Sequence, residues 1–402
     1  MKRIFSLLLA TVFTLGCLAA FASCGSEAQN SVTLTDGAKI VIGVYEPASG
    51  DNGAGGKKET LGVKYANSIK NTVTINGKTY PVELAIVDNQ SSNDKAVSAA
   101  SSLIDKNALV VLGSYGSGVS IAASDTFKDA GVPAVGITCT NPQVTAGNDH
   151  YFRACFLDPF QGTVLANYAK NELGATKAYV LACQGSDYDM GLANYFNQTF
   201  GSTTNTFPAG TADFTGYVQA AKDAGAQVIF APVSVNYVQL IVAKAAELNF
   251  DGYILGGDTL DDNMVVEAAT GKNVKVHITT FYQEGANAEF DNGFKAWLNA
   301  DAGRLTENGG NDMISAVSAM GYDTYMAALY AIEHAAVKDN VLTSLDVRAA
   351  LAAMTTVETG YAGVTGNIYF DATGDCVRST AFIKKIDTVA GAWEFVKEQS
   401  AE

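Results

Sequence analysis

Short apolar, β-rich runs recur along the chain, and each is followed by a segment whose apolar positions repeat at helical spacing. The runs are KIVIGVY (39–45), VELAIVD (82–88), LVVLG (109–113), PAVGI (133–137), AYVLAC (178–183), VIFAPV (228–233), YILGG (253–257) and VHITTFY (276–282). Continuous apolar strands alternating with helices suit parallel sheets covered on both faces, so the pattern predicts an α/β, doubly wound architecture. Val317, Met320, Tyr325, Leu329 and Ile332 mark a long helix over 315–336, and Asn93 or Asp94 is placed to cap another. One βα series runs to about Asp158 and a second from Phe160 to about Tyr282. Helices and a last strand pair, GNIYFD (366–371) with TAFIKKID (380–387), follow. No solenoid period is visible.

The amino terminus breaks this pattern. Residues 1–23 begin with Lys2 and Arg3, continue as an apolar run and end in Ala22 and Ser23, which is the layout of a cleaved export signal. Cys24 follows, then a polar stretch without periodicity that reads as a flexible tether over 24–38. The arrangement resembles a bacterial lipoprotein with the lipid on Cys24; Cys17 is the alternative acceptor, and an uncleaved membrane anchor the alternative structure. Either way the folded part is expected outside the cytoplasm, held to the membrane by the anchor only. About 380 residues remain, enough for two domains. Basic residues number 26 against 41 acidic ones, a formal charge of −15 that drops by two more when Lys2 and Arg3 leave. That balance excludes nucleic acid and anionic membrane surfaces as partners. Cys139, Cys155, Cys183 and Cys376 lack CxxC spacing and read as buried thiols.

In an open α/β sheet, ligands bind at the carboxyl ends of the strands. Those loops are the most specific part of the sequence. After LVVLG come Ser114, Tyr115, Gly116, Ser117 and Gly118, then a helix. Glycines flanking Ser117 let the backbone approach a ligand, and the free N–H groups of a helix start favour a carboxylate, although Ser117 also suits a helix cap. After PAVGI come Thr138, Cys139, Thr140, Asn141 and Pro142. After AYVLAC the loop holds Tyr188 between Asp187 and Asp189, and after YILGG comes Asp258, itself a cap candidate. Anion donors, hydroxyls, an aromatic platform and one acid make the inventory for a free α-amino acid. Tyr45, Tyr115, Tyr237, Phe281 and Tyr282 lie at strand ends or loops, where they could shape a side-chain pocket or serve as hinge or core packing.

At these residues the chain resembles the leucine/isoleucine/valine-binding family, the type I periplasmic binding proteins that feed ABC importers. The likeness runs from PASG (47–50) and DNQSSNDKAVSAA (88–100) to GVTGNIYFDATGD (363–375). It implies two lobes joined by a three-strand hinge, 39–158 with 283–366 and 159–282 with 367–402. It implies that Ser117 receives the ligand carboxylate, that Thr138 offers a carbonyl to the ammonium and Thr140 a hydroxyl, and that Tyr188 and Asp258 close from the second lobe. A branched-chain or other neutral amino acid is the implied ligand, an ABC permease the partner, and a monomer the expected state. The chain departs from the family at three places. Gly116 stands where some members carry a cysteine paired with another in the preceding βα unit. Asp258 is a methylene shorter than the usual glutamate. Gly53 and Gly55 occupy a loop where several relatives carry an aromatic, so a pocket wall is expected to be missing.

Catalysis lacks support. Ser117 has Tyr115 and Val119 where a GxSxG elbow needs glycines, and DNGAGGKK (51–58) lacks the first glycine and the hydroxyl of a P-loop. His150, His277 and His334 stand apart from one another, without zinc-site spacing, so no metal or cofactor is expected. Beside the amino-acid importer stand a clamp for another small ligand, such as an amide or aromatic acid, a sensory receptor module, and, more remotely, an extracytoplasmic hydrolase.

Overall fold

A computed structural model describes residues 29–401; the signal segment and Cys17 and Cys24 lie outside them. Two sheets organise the chain. The first holds β1 (Ile40–Val44), β2 (Thr72–Ile75), β3 (Lys78–Ile86), β4 (Val110–Leu112), β5 (Ala134–Gly136) and β6 (Tyr151–Arg153), in the order β2-β3-β1-β4-β5-β6. All neighbours are parallel except the β2–β3 hairpin, and Ile42 pairs with Leu84 on one side and Val110 on the other. The second holds β7 (Ala178–Cys183), β8 (Thr204–Phe207), β9 (Val228–Phe230), β10 (Tyr253–Gly256), β11 (Lys275–Thr280), β12 (Thr380–Asp387) and β13 (Ala392–Ser400), in the order β13-β12-β11-β10-β9-β7-β8. Its first five strands are parallel, and β12 and β13 add antiparallel at one edge. This is the α/β, doubly wound fold. The short strands β4, β5 and β9 are wholly buried, which explains their unbroken apolar runs.

Helix α1 (Gly53–Ile69) packs along the helix Ala316–His334 at glycine contacts: a Cβ on Gly62 would lie 1.9 Å from the Ser318 carbonyl oxygen, and one on Gly321 2.4 Å from that of Glu59. That close approach carries Lys58 and Glu59 into the interior. The chain crosses between the sheets near Phe156 and Phe281, whose rings pack at a tilt with centroids 4.2 Å apart. Arg378 ties the crossings together by donating to the carbonyls of Ala154 and Thr365 at 3.0 and 2.7 Å.

Three expectations are corrected here. TAFIKKID pairs with Ala392–Ser400, not with GNIYFD, whose Gly366–Ile368 segment pairs with Tyr361–Gly363 in a separate hairpin. The proposed tether is docked from Asn30 onward. Its side chain donates to the carbonyls of Ile104 and Ala108, Ser31–Thr33 pairs with Val341–Thr343, and Leu34 is buried. Val32 and Leu34 alternate with polar residues, a strand signal too short to stand out. Finally, the helix Asn93–Asp105 starts one residue after Ser92, so neither Asn93 nor Asp94 is its cap. Cys139, Cys155, Cys183 and Cys376 are buried and free.

Candidate functional site

Each sheet reverses its strand order at one point, between β1 and β4 in the first and between β7 and β9 in the second. Loops leaving these points have nothing to pair with and diverge, leaving a crevice. The two crevices face each other and enclose a cavity of about 240 Å³. One wall comes from the loops after β1, β3, β4 and β5, through Asp51 and Asn52, Ser91 and Asn93, the stretch 115–119, and Thr138. The other comes from the loops after β7, β8, β9 and β10, through 183–189, Ala209, Ser234, Tyr237 and Thr259.

Ser117 opens helix α3 (Ser117–Asp129), whose cap position is Gly116 and carries no side chain. The first-turn N–H groups therefore have no capping partner and face the cavity wall. Ser117 Oγ accepts from the Asn141 N–H at 3.3 Å, which leaves its own proton for a ligand. Arg153, wholly buried, holds the neighbouring loop: it donates to the carbonyls of Cys139 and Asn141 at 2.9 and 2.7 Å, to Thr145 Oγ1 at 2.8 Å, and pairs with Asp375 at 2.6 Å. Thr138 reaches the cavity, but its hydroxyl donates inward to Glu59. Thr140 does not line the cavity; it is wholly buried, its hydroxyl and both oxygens of the buried Asp158 have no hydrogen-bond partner among the described residues, and burial pushes the Asp158 carboxyl up to about 8.

From the second sheet, Tyr188 in helix α5 (Asp187–Phe200) lines the cavity and donates to Asp258 Oδ1 at 3.1 Å. Gln161 Nε2 donates to the same oxygen at 2.8 Å. Asp258 is 1 % exposed and sits behind Tyr188 and Thr259, and its Oδ2 has no protein partner. Burial pushes its carboxyl up to about 6 against the downward pull of those two donors. The arrangement leaves one acid oxygen buried without a protein partner, just off the cavity wall.

The tyrosines divide. Tyr115 and Tyr237 line the cavity. A Cβ on Gly55 would meet the Tyr115 ring at 2.3 Å, so Tyr115 fills the space that the absent aromatic of the first loop was expected to leave open. Tyr45, Phe281 and Tyr282 are not on the wall. Tyr45 bonds Tyr151 in the core of the first sheet at 2.5 Å, Phe281 packs against Phe156 at the crossing, and Tyr282 donates to Asp291 at 2.7 Å.

Two buried groups had no clear sequence signal. Glu46 and Glu59 are both nearly inaccessible; Glu46 Oε2 accepts the Tyr115 N–H at 2.6 Å, and each acid keeps one oxygen without another partner, beside the other acid. Burial raises both, Glu46 to about 8, so the pair shares a proton. Lys58 pairs with Asp262 across the lobes at 2.5 Å and donates to Asn263 Oδ1 at 2.6 Å, all three buried. Other bridges between the walls run from Tyr237 O–H to Asp51 Oδ2 at 2.8 Å and from Asn141 Nδ2 to the Asp187 carbonyl at 2.9 Å. The lobes are thus closed on each other.

Two doubly wound lobes meeting over such a cavity define a two-lobed ligand-binding protein of the type I periplasmic fold. A family model described as periplasmic binding protein matches residues 39–388. The chain belongs to that family, in its leucine/isoleucine/valine-binding branch, whose members act outside the cytoplasm. It is 29 % identical over 233 residues to Leu/Ile/Val-binding protein homolog 3 of Brucella melitensis, an alignment covering 56 % of this chain and 62 % of that one. It is 31 % identical over 202 residues to an amino acid binding protein of Pseudomonas aeruginosa, covering 48 % and 53 %. The matches thus span a little over half the length of these relatives. Among solved structures, the leucine-binding protein LivK of Thermotoga maritima superposes with a TM-score of 0.76 at 28 % identity, covering 90 % of this chain and 99 % of that one. LivJ of Streptococcus pneumoniae, in complex with isoleucine, also gives 0.76, at 26 % identity and covering 89 % and 99 %. No described helix is long and apolar enough to cross a membrane.

Proposed function

We propose that this chain captures a free α-amino acid between its lobes and presents the closed complex to an ABC permease. The observation that carries the reading is the pairing of opposite chemistries across one cavity: an uncapped helix start with Ser117 on one wall, and behind the other the unpartnered Asp258 Oδ2. A zwitterion satisfies both at once. Ser117 and the α3 amides take the carboxylate, and the Thr138 carbonyl and Asp258 take the ammonium, with Tyr188 laid over it. These groups read only the α-carbon substituents that all amino acids share. Relatives named for leucine, isoleucine and valine make those the reference ligands. The lobes on this reading are 39–158 with 283–366 and 159–282 with 367–402, hinged at three crossings, and a lipid on Cys24 holds the protein to the membrane outside the cytoplasm.

Thermal stabilisation across the twenty amino acids tests the ligand class: a true ligand at 100 times its Kd stabilises by about 2.7 kcal/mol. No shift with any amino acid overturns it. Labelled-lipid incorporation that is lost in Cys24→Ser supports the anchor, and incorporation that survives it moves the lipid to Cys17.

A further inference from the structure

The cleft carries charge that an α-amino group alone does not use. Asp51, Asp187 and Asp189 line the cavity, and no lysine or arginine is among its lining residues. Asp189 is engaged within its own loop, accepting from Ser186 Oγ at 2.7 Å and from the Cys183 N–H at 3.1 Å. Asp51 is different: its carboxylate accepts a single bond, from Tyr237, and neither it nor Asp187 meets a cation among the described residues. Asp187 Oδ2 leans over Gly118, where a Cβ would lie 2.6 Å from it.

A second, independent feature stands in the same wall. Ser234 heads helix α7 (Val235–Glu247) without making a capping bond; it is 7 % exposed, and its Oγ has no hydrogen-bond partner although it lines the cavity. A buried hydroxyl left unpaired is costly, so its partner is expected to arrive with the ligand. A leucine-like side chain here would strand Ser234 and leave the negative field of Asp51 and Asp187, both exposed at the cavity wall, unanswered. A neutral amide would satisfy Ser234 but would bring no countercharge to the two carboxylates.

We infer that the ligand is an amino acid with a cationic side chain, whose guanidinium or ammonium group is held by Asp51, Asp187 and the Ser234 hydroxyl. This rests on the proposal that the cleft takes a free α-amino acid, and sets the class of its side chain against the aliphatic reference ligands.

The test is calorimetry of the parent protein with arginine, lysine, glutamine, leucine and isoleucine. Arginine or lysine binding at least tenfold more tightly than the other three is expected. Leucine, isoleucine or glutamine binding as tightly as either basic amino acid overturns the inference while leaving the amino-acid reading intact; binding by none of the twenty overturns both. In Asp51→Asn, which can still accept from Tyr237, the affinity for the basic ligand should fall about tenfold relative to that for glutamine, the scale of one hydrogen bond to a charged group. An equal loss for both ligands would reduce Asp51 to a structural role and overturn its assignment. Ser234→Ala should lower the basic-ligand affinity about threefold to tenfold, and an unchanged affinity would remove Ser234 from the site.

Discussion

At Asp258 the proposal turns on a single oxygen. Gln161 and Tyr188 both donate to Oδ1, which fixes the carboxylate plane and leaves Oδ2 for an incoming ammonium. Asp258→Asn keeps an oxygen for those two donors but offers the ligand no charge. Stranding a buried cation costs about 3 to 5 kcal/mol, so the Kd of the best amino acid should rise by at least about 100-fold. Ser117→Ala should cost only about 0.5 to 1.5 kcal/mol, because the α3 amides remain. Calorimetry of both variants checks the contrast, and an Asp258→Asn protein within about threefold of the parent would place the ammonium elsewhere. Ser117, Thr138 and Tyr188 stand on the cavity wall, and the sequence pointed to them because glycine, hydroxyl and aromatic residues cluster at those strand ends. Thr140 lies off the cavity wall, wholly buried, because neighbouring loop residues turn their side chains in different directions. Ser234 drew no notice in the sequence, since a serine before a helix reads as a cap, and only the fold shows that it makes no capping bond.

At the scale of elements, strand β1 and helix α1 bring Glu46 and Glu59 together behind the cleft, where Thr138 and Tyr115 bind them. Two acids in one apolar place share a proton, and the unfolded chain does not hold it. With folded values raised, Glu46 to about 8, against ordinary values near 4.5, the native state binds more protons than the unfolded one across that interval. The stability this pair contributes is therefore fully present below about pH 4.5 and is lost as pH rises toward 8. Glu59→Gln can accept from Thr138 and donate to Glu46 without titrating. It should raise the melting temperature at pH 8 by roughly 2 to 4 °C for each kcal/mol recovered, with the gain shrinking toward pH 5. A gain that is the same at both pH values would mean the pair does not titrate in this range. The parallel strands were legible in the sequence because burial on both faces makes their runs continuously apolar. The edge hairpin was not: Ala392–Ser400 is mostly polar and half exposed, so nothing local marks it as the partner of β12.

Across the whole molecule, closure is held by contacts that join residues far apart in sequence, which is why none of them could be read from spacing. Lys58 reaches Asp262 and Asn263 from the opposite lobe with all three side chains out of water, and Tyr237 reaches Asp51 nearer the cleft mouth. A buried ion pair adds little net energy when intact, because desolvation offsets attraction, but it is severely unfavourable when half of it is removed. Its influence on shape follows. In an open molecule Lys58 and Asp262 are both hydrated and indifferent to each other, whereas in the closed one each needs the other. Lys58→Met therefore penalises only the closed state, by about 3 to 5 kcal/mol, since Asp262 would be buried without its cation. The parent should show compaction in solution scattering when the best amino acid is added, and Lys58→Met should show a larger radius and need about 100-fold more ligand to reach the compact form. Asp262 also accepts from the Met264 N–H at 2.8 Å, so the double variant Lys58→Met, Asp262→Asn keeps that helix cap, removes the stranded charge and should recover most of the closure. A single variant that closes at the parent's ligand concentration would show that the ion pair is neutral between the two shapes, and that the hinge and the ligand alone set the balance.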